Sequence, residues 1–397
     1  LNGPVTFSGE NISTFTASRN ININAPINVN GTTAASGIAL VYNKANSTGD
    51  YNFGLSSTGS GLGMTASFAG AINFASKLST FTTQNNATLK SYTLVDAFTS
   101  TGASGTTLFC SVAANCTTSN NLNFALANNI DASTFTSTGV AGGAKFANMR
   151  ILGTSNAAYN GTFAGLGHTI TGLGLNGTSN VGLFHTTTSN AVVRDVKVSG
   201  AVVTGAGNTG TLIANAGSGL TMTNVVLDGN STVTATGDNS GGLIGSGGTG
   251  TLTNAYVLNV TVSGISYVGG VVGTSSLTGN QVHKVGNVTG TGGRVGGAYG
   301  YIGGAQTDVD SIGTVTLTGS GLRVGGLAGE ASGNITNGYA IGAVTASSSY
   351  EVGGLVGYYS SGAMTNVSSS GGNVTGTYNV GGLIGNASSI NITTAST

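Results

Sequence analysis

The sequence is dominated by a short glycine-rich motif that recurs at a nearly constant interval. Versions of V-G-G-L-I-G occur eight times in the second half of the chain, from a divergent VGLF at Val181 to VGGLIG at Val380. The first glycine of each copy falls at positions 182, 210, 241, 269, 296, 325, 353 and 381, so successive copies lie 27 to 31 residues apart. A fixed period of this length is typical of repeat architectures in which each unit stacks on the next.

Each repeat contains two further β-prone segments. A T-N segment such as TNAYVLN from Thr253 is followed by a third segment such as VTVSG from Val260. Glycine and asparagine separate the segments, and both tolerate the positive φ that tight corners need. A short strand buries its apolar side chains only by stacking on its copy one turn away. The sequence therefore predicts an all-β fold, a parallel β-helix (β-solenoid) with three short strands per coil and about 28 residues per coil.

The same register predicts which side chains fill the core and how the chain is divided. The apolar residue after each glycine pair should face the interior, which predicts a core of Leu183, Leu243, Val271, Leu327, Leu355 and Leu383. We expect irregular β-helix coils over 1–95, a disulfide-pinned lateral loop over 96–121, junction coils over 122–179 and the repeat β-helix over 180–397.

The first 95 residues lack the period but alternate apolar and polar side chains. NININAPINVNG from Asn20 places isoleucine and asparagine on opposite faces of predicted strands. Stacked asparagines can form side-chain ladders, as they do in cross-β assemblies. The alternation therefore predicts β-helix coils with asparagine ladders on their outer side.

The two cysteines, Cys110 and Cys116, are close in sequence and are the only thiols in the chain. We interpret them as a short-loop disulfide, which is typical of an oxidising compartment; the alternative is two unpaired thiols. The loop that they pin either carries binding specificity or is purely structural. A metal site needs several ligands together, and His168, His185 and His283 are far apart in sequence. The sequence predicts no metal and no cofactor.

Composition excludes several classes of partner. Only 6% of the residues are charged and the 11 basic residues are scattered, so no patch for nucleic acid or an anionic membrane is expected. The 39% hydrophobic fraction argues against disorder. The apolar runs are far too short to span a bilayer, so no membrane span is expected. A glycine pair can also cradle a phosphate, but here β-prone residues follow it instead of a helix.

Three stretches resemble known bacterial proteins. SRNININAPINVNGTTAASGIALVYN from Ser18 resembles repeats of filamentous-haemagglutinin-like adhesins exported by two-partner secretion. LNFALANNIDAS from Leu122 and GTFAGLGHTITGLGL from Gly161 resemble the junction that precedes GLUG-motif repeats in such exoproteins, and the GGLIG copies resemble the GLUG motif itself. The likeness covers about residues 12–50 and 120–390. Ala164 replaces a usual aspartate and His185 a usual glycine.

The resemblance implies a structural and adhesive rod, without enzymatic activity, that is secreted to the bacterial cell surface. It implies a glycan or protein receptor on a host, a neighbouring cell or the biofilm matrix, and an outer-membrane transporter for export of the full-length protein. The secretion domain of such exoproteins is not among these 397 residues, so we interpret the chain as an internal or processed segment. Lateral or end-to-end self-association is a further expectation.

Parallel β-helices also include polysaccharide lyases and hydrolases, so an enzyme is the alternative. Only Asp308 and Asp310 form a close acidic pair, and strand alternation places them on a common face. Asp195, beside Arg194 and Lys197, is interpreted as part of a surface charge cluster. His168 is interpreted as part of the turn in GLGHTI. No catalytic residue is predicted.

Two further hypotheses remain. An ice-binding or lattice-forming protein would stack Thr-x-Thr at one position of several coils; TVTLTG from Thr314 is suggestive, but the repeats do not show such stacking. There are 15 N-x-S/T sequons, which make N-glycosylation a hypothesis. The candidate sites are Asn30, Asn160, Asn176, Asn287 and Asn391.

Overall fold

A computed structural model describes residues 1–44, 48–98, 109–110, 122–133, 146–147, 150–151, 153–154 and 157–396. Strands account for 60% and helix for 1% of the structure, and the coils form a parallel β-solenoid of about 12 turns with a period of roughly 29 residues. The predicted fold class is therefore confirmed. At a strand spacing of about 4.8 Å, this number of turns makes a rod of about 55 Å.

The glycine motif forms a sharp corner between two strands. A Cβ on Gly353 would lie 2.0 Å from the Val356 carbonyl oxygen, and one on Gly357 would lie 2.5 Å from the backbone nitrogen of Val324 in the preceding coil. The backbones on the two sides of the corner approach more closely than side chains permit, which explains why the motif keeps its glycines. The corner divides the first predicted segment into two strands, so each coil contributes four strands to four ladders instead of the predicted three.

The first and second ladders lie on either side of this corner. The first ladder contains Thr209–Gly210, Ser240–Gly241, Val268–Gly269, Gly293–Gly296, Gly321–Gly325, Ser349–Gly353 and Val380–Gly381. The second contains Phe184–Thr186, Ile213–Ala216, the first parts of Ile244–Val257 and Val272–Val285, Tyr299–Ile302, Ala328–Ala331, Val356–Tyr359 and Ile384–Ala387.

The third and fourth ladders complete each coil. The third contains Val192–Ser199, Leu220–Asp228, the second parts of the two long strands, Gln306–Ile312, Ile335–Ile341, Ala363–Ser370 and Asn391–Ser396. The fourth contains Phe146–Ala147, Gly174–Gly177, Val202–Gly205, Thr232–Ala235, Thr261–Gly264, Val288–Gly290, Val315–Leu317, Val344–Ala346 and Val374–Thr375.

The T-N segment bends in the middle of the third ladder. Its asparagine has a positive φ in every coil that keeps it, for example 53° at Asn337 and 53° at Asn366. The amide of Asn366 donates to Oδ1 of Asn337 at 2.8 Å, and that of Asn337 donates to Oδ1 of Asp308 at 2.7 Å. Asparagine is repeated because it tolerates this backbone conformation and its side chain can hydrogen-bond to the coil below.

The N-terminal coils are less regular and include two antiparallel hairpins. Val5–Phe7, Ile27–Val29 and Ile72–Phe74 form one parallel sheet, and Ile12–Thr16, Gly37–Tyr42 and Thr80–Asn85 form part of another. Asn52 donates to Asn22 and Asn73 donates to Asn28, so the predicted asparagine ladders are present. The remaining elements are Ile21–Asn22, Tyr51–Asn52, Leu55–Thr58, the 3-10 helix Gly61–Gly63, Thr65–Phe68 and Thr88–Val95.

The strands between the two halves are short. They are Phe109–Cys110, Asn123–Leu126, Ile130–Asp131, Arg150–Ile151, Gly153–Thr154, Ala157–Ala158, Thr162–Ala164 and Thr169–Thr171. Cys116, the side chain of Cys110 and most of the loop predicted over 96–121 lie outside the described residues. The disulfide therefore stays a prediction.

A single hydrophobic cluster runs along the interior of the repeat coils. Backbone hydrogen bonds connect its central column from coil to coil, as from Leu327 N–H to the Leu355 oxygen at 2.8 Å and from Leu355 N–H to the Leu383 oxygen at 2.8 Å. Leu383 is partly buried at the end of the column. The column's fully buried members are Leu183, Leu212, Leu243, Val271, Ala298, Leu327 and Leu355.

An outer hairpin lies along the side of the solenoid. Its strands, Leu55–Thr58 and Thr65–Phe68, pair in antiparallel fashion. Ala66 of this hairpin packs with Val226, Tyr256, Leu258, Val285 and Ile312, which point outward from the third ladder. A segment near the start of the chain therefore covers the outer side of coils from Val226 to Ile312, more than 150 residues further along the chain.

Candidate functional sites

A pocket of about 330 Å³ lies on the outer side of the third ladder, and the side chains that line it form two columns that stack from coil to coil. The strand register places His283, Asp310, Tyr339 and Ser368 directly above one another. The second column carries the asparagine ladder. The pocket is lined by His283, Asp308, Asp310, Asn337, Tyr339, Asn366 and Ser368, so the predicted pair Asp308 and Asp310 does share one site.

Asp310 is the centre of this pocket and is fully buried. The His283 Nδ1 lies 2.5 Å from its Oδ2, the Tyr339 hydroxyl donates to the same oxygen at 3.0 Å, and the Lys284 backbone N–H donates to Oδ1 at 3.3 Å. The His283 ring also stacks on Tyr256 at 5.0 Å. Burial and the nearby carboxylate raise the pKa of Tyr339 to about 12. The three neighbours of Asp310 therefore hold this carboxylate in one orientation within the pocket.

Lys284 lies immediately behind the pocket and points into the hydrophobic interior. Its side chain is fully buried, in register with Val257 of the preceding coil and Ser311 of the next. The ammonium donates to the Gly286 carbonyl at 2.6 Å, and burial lowers its pKa to about 7. A lysine at an interior position is costly, because the charged form loses its hydration.

Arg194 and Asp195 form a buried ion pair, so the predicted surface charge cluster is wrong. Arg194 Nε lies 2.6 Å from Asp195 Oδ2, its Nη1 lies 3.0 Å from Asp50 Oδ1, and its guanidinium stacks 3.9 Å from the Tyr51 ring centroid. Burial raises the pKa of Asp195, while Arg194 opposes the shift. Residues near Asp50 cover the pair, and no local pattern in the sequence reveals that coverage. Lys197 pairs instead with Asp228 at 2.6 Å.

His168 follows the turn in GLGHTI, as predicted, and is buried. Its backbone N–H donates to the Gly165 oxygen at 2.9 Å, which closes the turn. Its Nε2 lies 2.8 Å from the Ile72 carbonyl oxygen and its Nδ1 lies 3.3 Å from Asn129 Oδ1. Burial lowers the pKa of His168 to about 4. His168 therefore holds two parts of the chain together in its neutral form.

A ribbon of arginine, glutamate and tyrosine crosses the glycine corner. Arg323 pairs with Glu330 and with Glu351, the latter at 2.8 Å, and its guanidinium lies 4.0 Å from the Tyr358 ring centroid. Arg294 pairs with the same Glu330. The two arginines and two glutamates neutralise one another, so the ribbon joins the first ladder to the second and leaves little charge for a ligand.

The expectation that the repeats do not stack threonines is wrong, because a row of hydroxyl groups lies on the outer side of the fourth ladder. The register aligns Thr289, Thr316 and Thr345 in consecutive coils, with valines on the opposite, buried side. The sequence signal for this row is the V-T or V-S dipeptide in the third segment of each coil. These dipeptides form a row only once the strand register aligns the coils. The complete row is Thr204, Thr234, Ser263, Thr289, Thr316, Thr345 and Thr375.

The predicted glycosylation sites lie at the surface. All five side chains are exposed, which is compatible with modification and does not test it: Asn30, Asn160, Asn176, Asn287 and Asn391. Within the described residues, no group of three histidine, cysteine or acidic side chains could hold a metal ion. Across the same part of the chain, no helix is long and apolar enough to cross a membrane.

The fold and these sites define a parallel β-solenoid with neutralised charge clusters and one hydroxyl-bearing face. No family model, curated protein or solved structure matches the chain. The resemblance to filamentous-haemagglutinin-like adhesins with GLUG repeats therefore stays a prediction that rests on the quoted motifs.

Proposed function

We propose that this protein is a structural and adhesive rod of a secreted bacterial surface exoprotein. The observation that carries the proposal is the continuous stacking of coils, in which four ladders and one interior cluster extend through all the repeats. Each coil adds about 4.8 Å of length and buries its apolar residues against its neighbours, so the architecture is suited to holding a surface away from its attachment point.

The charge distribution supports a binding rather than a catalytic role. Arg323 and Arg294 are neutralised by glutamates, and the buried Arg194 pairs with the buried Asp195 and with Asp50 at the surface. The outer sides therefore offer mainly neutral hydroxyl and amide groups. The proposed partner is a glycan or protein receptor on a host, a neighbouring cell or the biofilm matrix, and export through an outer-membrane transporter belongs to the same proposal.

Two measurements test this function. Small-angle scattering of the full chain should show an elongated particle, and deletion of the 28 residues 325–352, one repeat, should shorten it by about 4.8 Å. Beads coated with the full chain should adhere to at least one surface in a panel of glycans, epithelial cells and bacterial cells; beads coated with urea-unfolded chain are the control. A globular particle would refute the rod, and no adhesion beyond the control would refute the adhesive role.

The pocket at Asp310 favours a second candidate, a carbohydrate-active enzyme. Asp308 and Asp310 line one pocket with His283, and paired carboxylates are the groups that glycosidases use. Incubation with a polysaccharide panel should then release products that are lost in Asp308→Asn and retained in Asp238→Asn, a change at an exposed aspartate outside the pocket. If no polysaccharide is cleaved, or if both variants behave alike, this candidate is eliminated.

A further inference from the structure

The outer side of the fourth ladder carries a two-dimensional array of threonines. Seven consecutive coils each present three positions at this surface, and these positions are every second residue along the chain. Of these 21 positions, 13 are threonine, and none is charged or aromatic. We call this surface the threonine face; it consists of Val202, Thr204, Ala206, Thr232, Thr234, Thr236, Thr261, Ser263, Ile265, Asn287, Thr289, Thr291, Thr314, Thr316, Thr318, Ala343, Thr345, Ser347, Asn373, Thr375 and Thr377.

The array is regular because its sheet is regular. The fourth ladder keeps its pairing from Gly174–Gly177 to Val374–Thr375 without a register shift, whereas the first ladder and the long strands each contain one. Equivalent threonines of the central column are therefore about 4.8 Å apart in adjacent coils, and alternate residues along an extended strand are about 6.7 Å apart. Both distances are close to repeats between water molecules on faces of hexagonal ice. The third position of each coil, from Ala206 to Thr377, lies just beyond the end of its strand.

A column of valines fixes the threonine face from behind. Val288, Val315 and Val344 lie inside the solenoid between the threonine positions, and their exposed fractions do not exceed 1%. β-branched side chains are restricted at χ1, on the buried side as well as on the threonine side. The hydroxyl and methyl groups are therefore held in a repeating arrangement before any ligand arrives.

The chemistry of the face suits ordered water. A threonine carries a hydroxyl that takes part in hydrogen bonds and, beside it, a methyl group that does not compete for water. Thr236, Thr318 and Thr377 donate to backbone carbonyls of the preceding coil, which fixes their hydroxyl oxygens as acceptors toward the outside. Neighbouring coils are coupled by direct contacts: Ser263 Oγ donates to Thr234 Oγ1 at 3.3 Å, and Thr314 Oγ1 donates to Asn287 Oδ1 at 3.0 Å. A charged side chain would bind its own hydration shell and disturb such an array, and the face contains none.

We propose that the threonine face is an ice-binding surface. Ice is favoured over a crystalline polysaccharide because binding to sugar rings commonly uses aromatic side chains, and the face has none. It is favoured over a second copy of the chain because a stable protein interface has an apolar, often aromatic centre. This inference goes beyond the adhesive function and does not depend on it, because the adhesion assay measures binding to glycans and cells and the experiment below measures binding to ice.

The experiment uses the full chain and two pairs of variants. The first pair, Thr289→Tyr and Thr316→Tyr, is combined in one protein and disrupts the centre of the face while keeping a residue that is favourable in strands. The matched control combines Thr251→Tyr and Thr278→Tyr, two exposed threonines that are aligned in adjacent coils of the third ladder. Circular dichroism melting verifies that each variant folds like the unmodified chain.

Thermal hysteresis, ice-crystal shape and binding of the fluorescently labelled chain to a growing ice hemisphere are measured for all three proteins. We expect hysteresis and ice labelling for the unmodified chain and the control, and loss of both for the variant with Thr289 and Thr316 replaced. Absence of ice binding in the unmodified chain, or its survival in that variant, would overturn the proposal. Binding to crystalline cellulose or chitin without ice binding, or dimerisation that the same variant abolishes, would also overturn it.

Discussion

Replacement of Lys284 by methionine should stabilise the protein in a strongly pH-dependent way. Lys284 is fully buried between Val257 and Ser311, and its ammonium donates to the Gly286 carbonyl. Methionine has a similar length and no charge, so it can fill the same space between the coils. The variant therefore removes the cost of a buried ammonium and leaves the packing nearly intact.

The magnitude follows from the pKa of this lysine. Burial lowers the pKa of Lys284 from 10.5 to about 7. A shift of this size means that keeping the ammonium charged in the folded state costs about 5 kcal/mol. Above pH 10.5 the lysine is neutral in both the folded and the unfolded state, so it carries no charge penalty. As the pH falls from 10.5 to about 7, the unfolded chain binds the proton and the folded chain does not, so stability decreases. Below pH 7 both states are charged and the penalty is constant.

The assay is urea unfolding of Lys284→Met and of the unmodified chain at several pH values between 6 and 10.5. The difference between their free energies of unfolding should be largest at pH 6 and should shrink by about 4 to 5 kcal/mol by pH 10.5. Lys44→Met, at an exposed lysine, is the matched control and should show no such trend. A difference that does not vary with pH would show that Lys284 is solvated, and would refute the reasoning.

Three further predictions concern packing and protonation. Leu355→Ala should cost about 3 kcal/mol in urea unfolding because it opens a cavity in the interior column, whereas Leu322→Ala, at an exposed leucine, should cost less than about 0.5 kcal/mol. Gly353→Ala should lower the melting temperature because its Cβ would lie 2.0 Å from a carbonyl oxygen; Gly63→Ala, which meets nothing within 4 Å, should not. The pKa of about 4 at His168 predicts that stability falls by about 3 kcal/mol between pH 6.5 and pH 4, a loss that should be absent in His168→Gln.

The repeated segments were predictable because their information is local. A glycine motif every 27 to 31 residues, followed by a T-N segment and a V-T segment, indicates one coil after another. The two hairpins near the N-terminus were not predictable from the period. Residues 1–95 alternate apolar and polar side chains, and alternation is the same in a parallel coil and in an antiparallel hairpin.

The sites were harder to predict because most of them join residues that are distant in sequence. Asp308 and Asp310 were found as a pair, but the partners of Asp310, His283 and Tyr339, come from the coils on either side. The burial of Arg194 depends on Asp50, 144 residues earlier. The charge cluster around Arg194 looked like a surface feature because the segment around Asp50 that covers it is far away in the sequence.

What the sequence determined by itself is the kind of coil: its length, its glycine corner and its alternation of inward valine with outward threonine. Only the tertiary structure decided what those coils present to the outside, because a row such as Thr289, Thr316 and Thr345 exists only when the strand register is known. A shift of one residue between coils would turn the valines outward and remove the row. The interior position of Lys284 was likewise decided by that register.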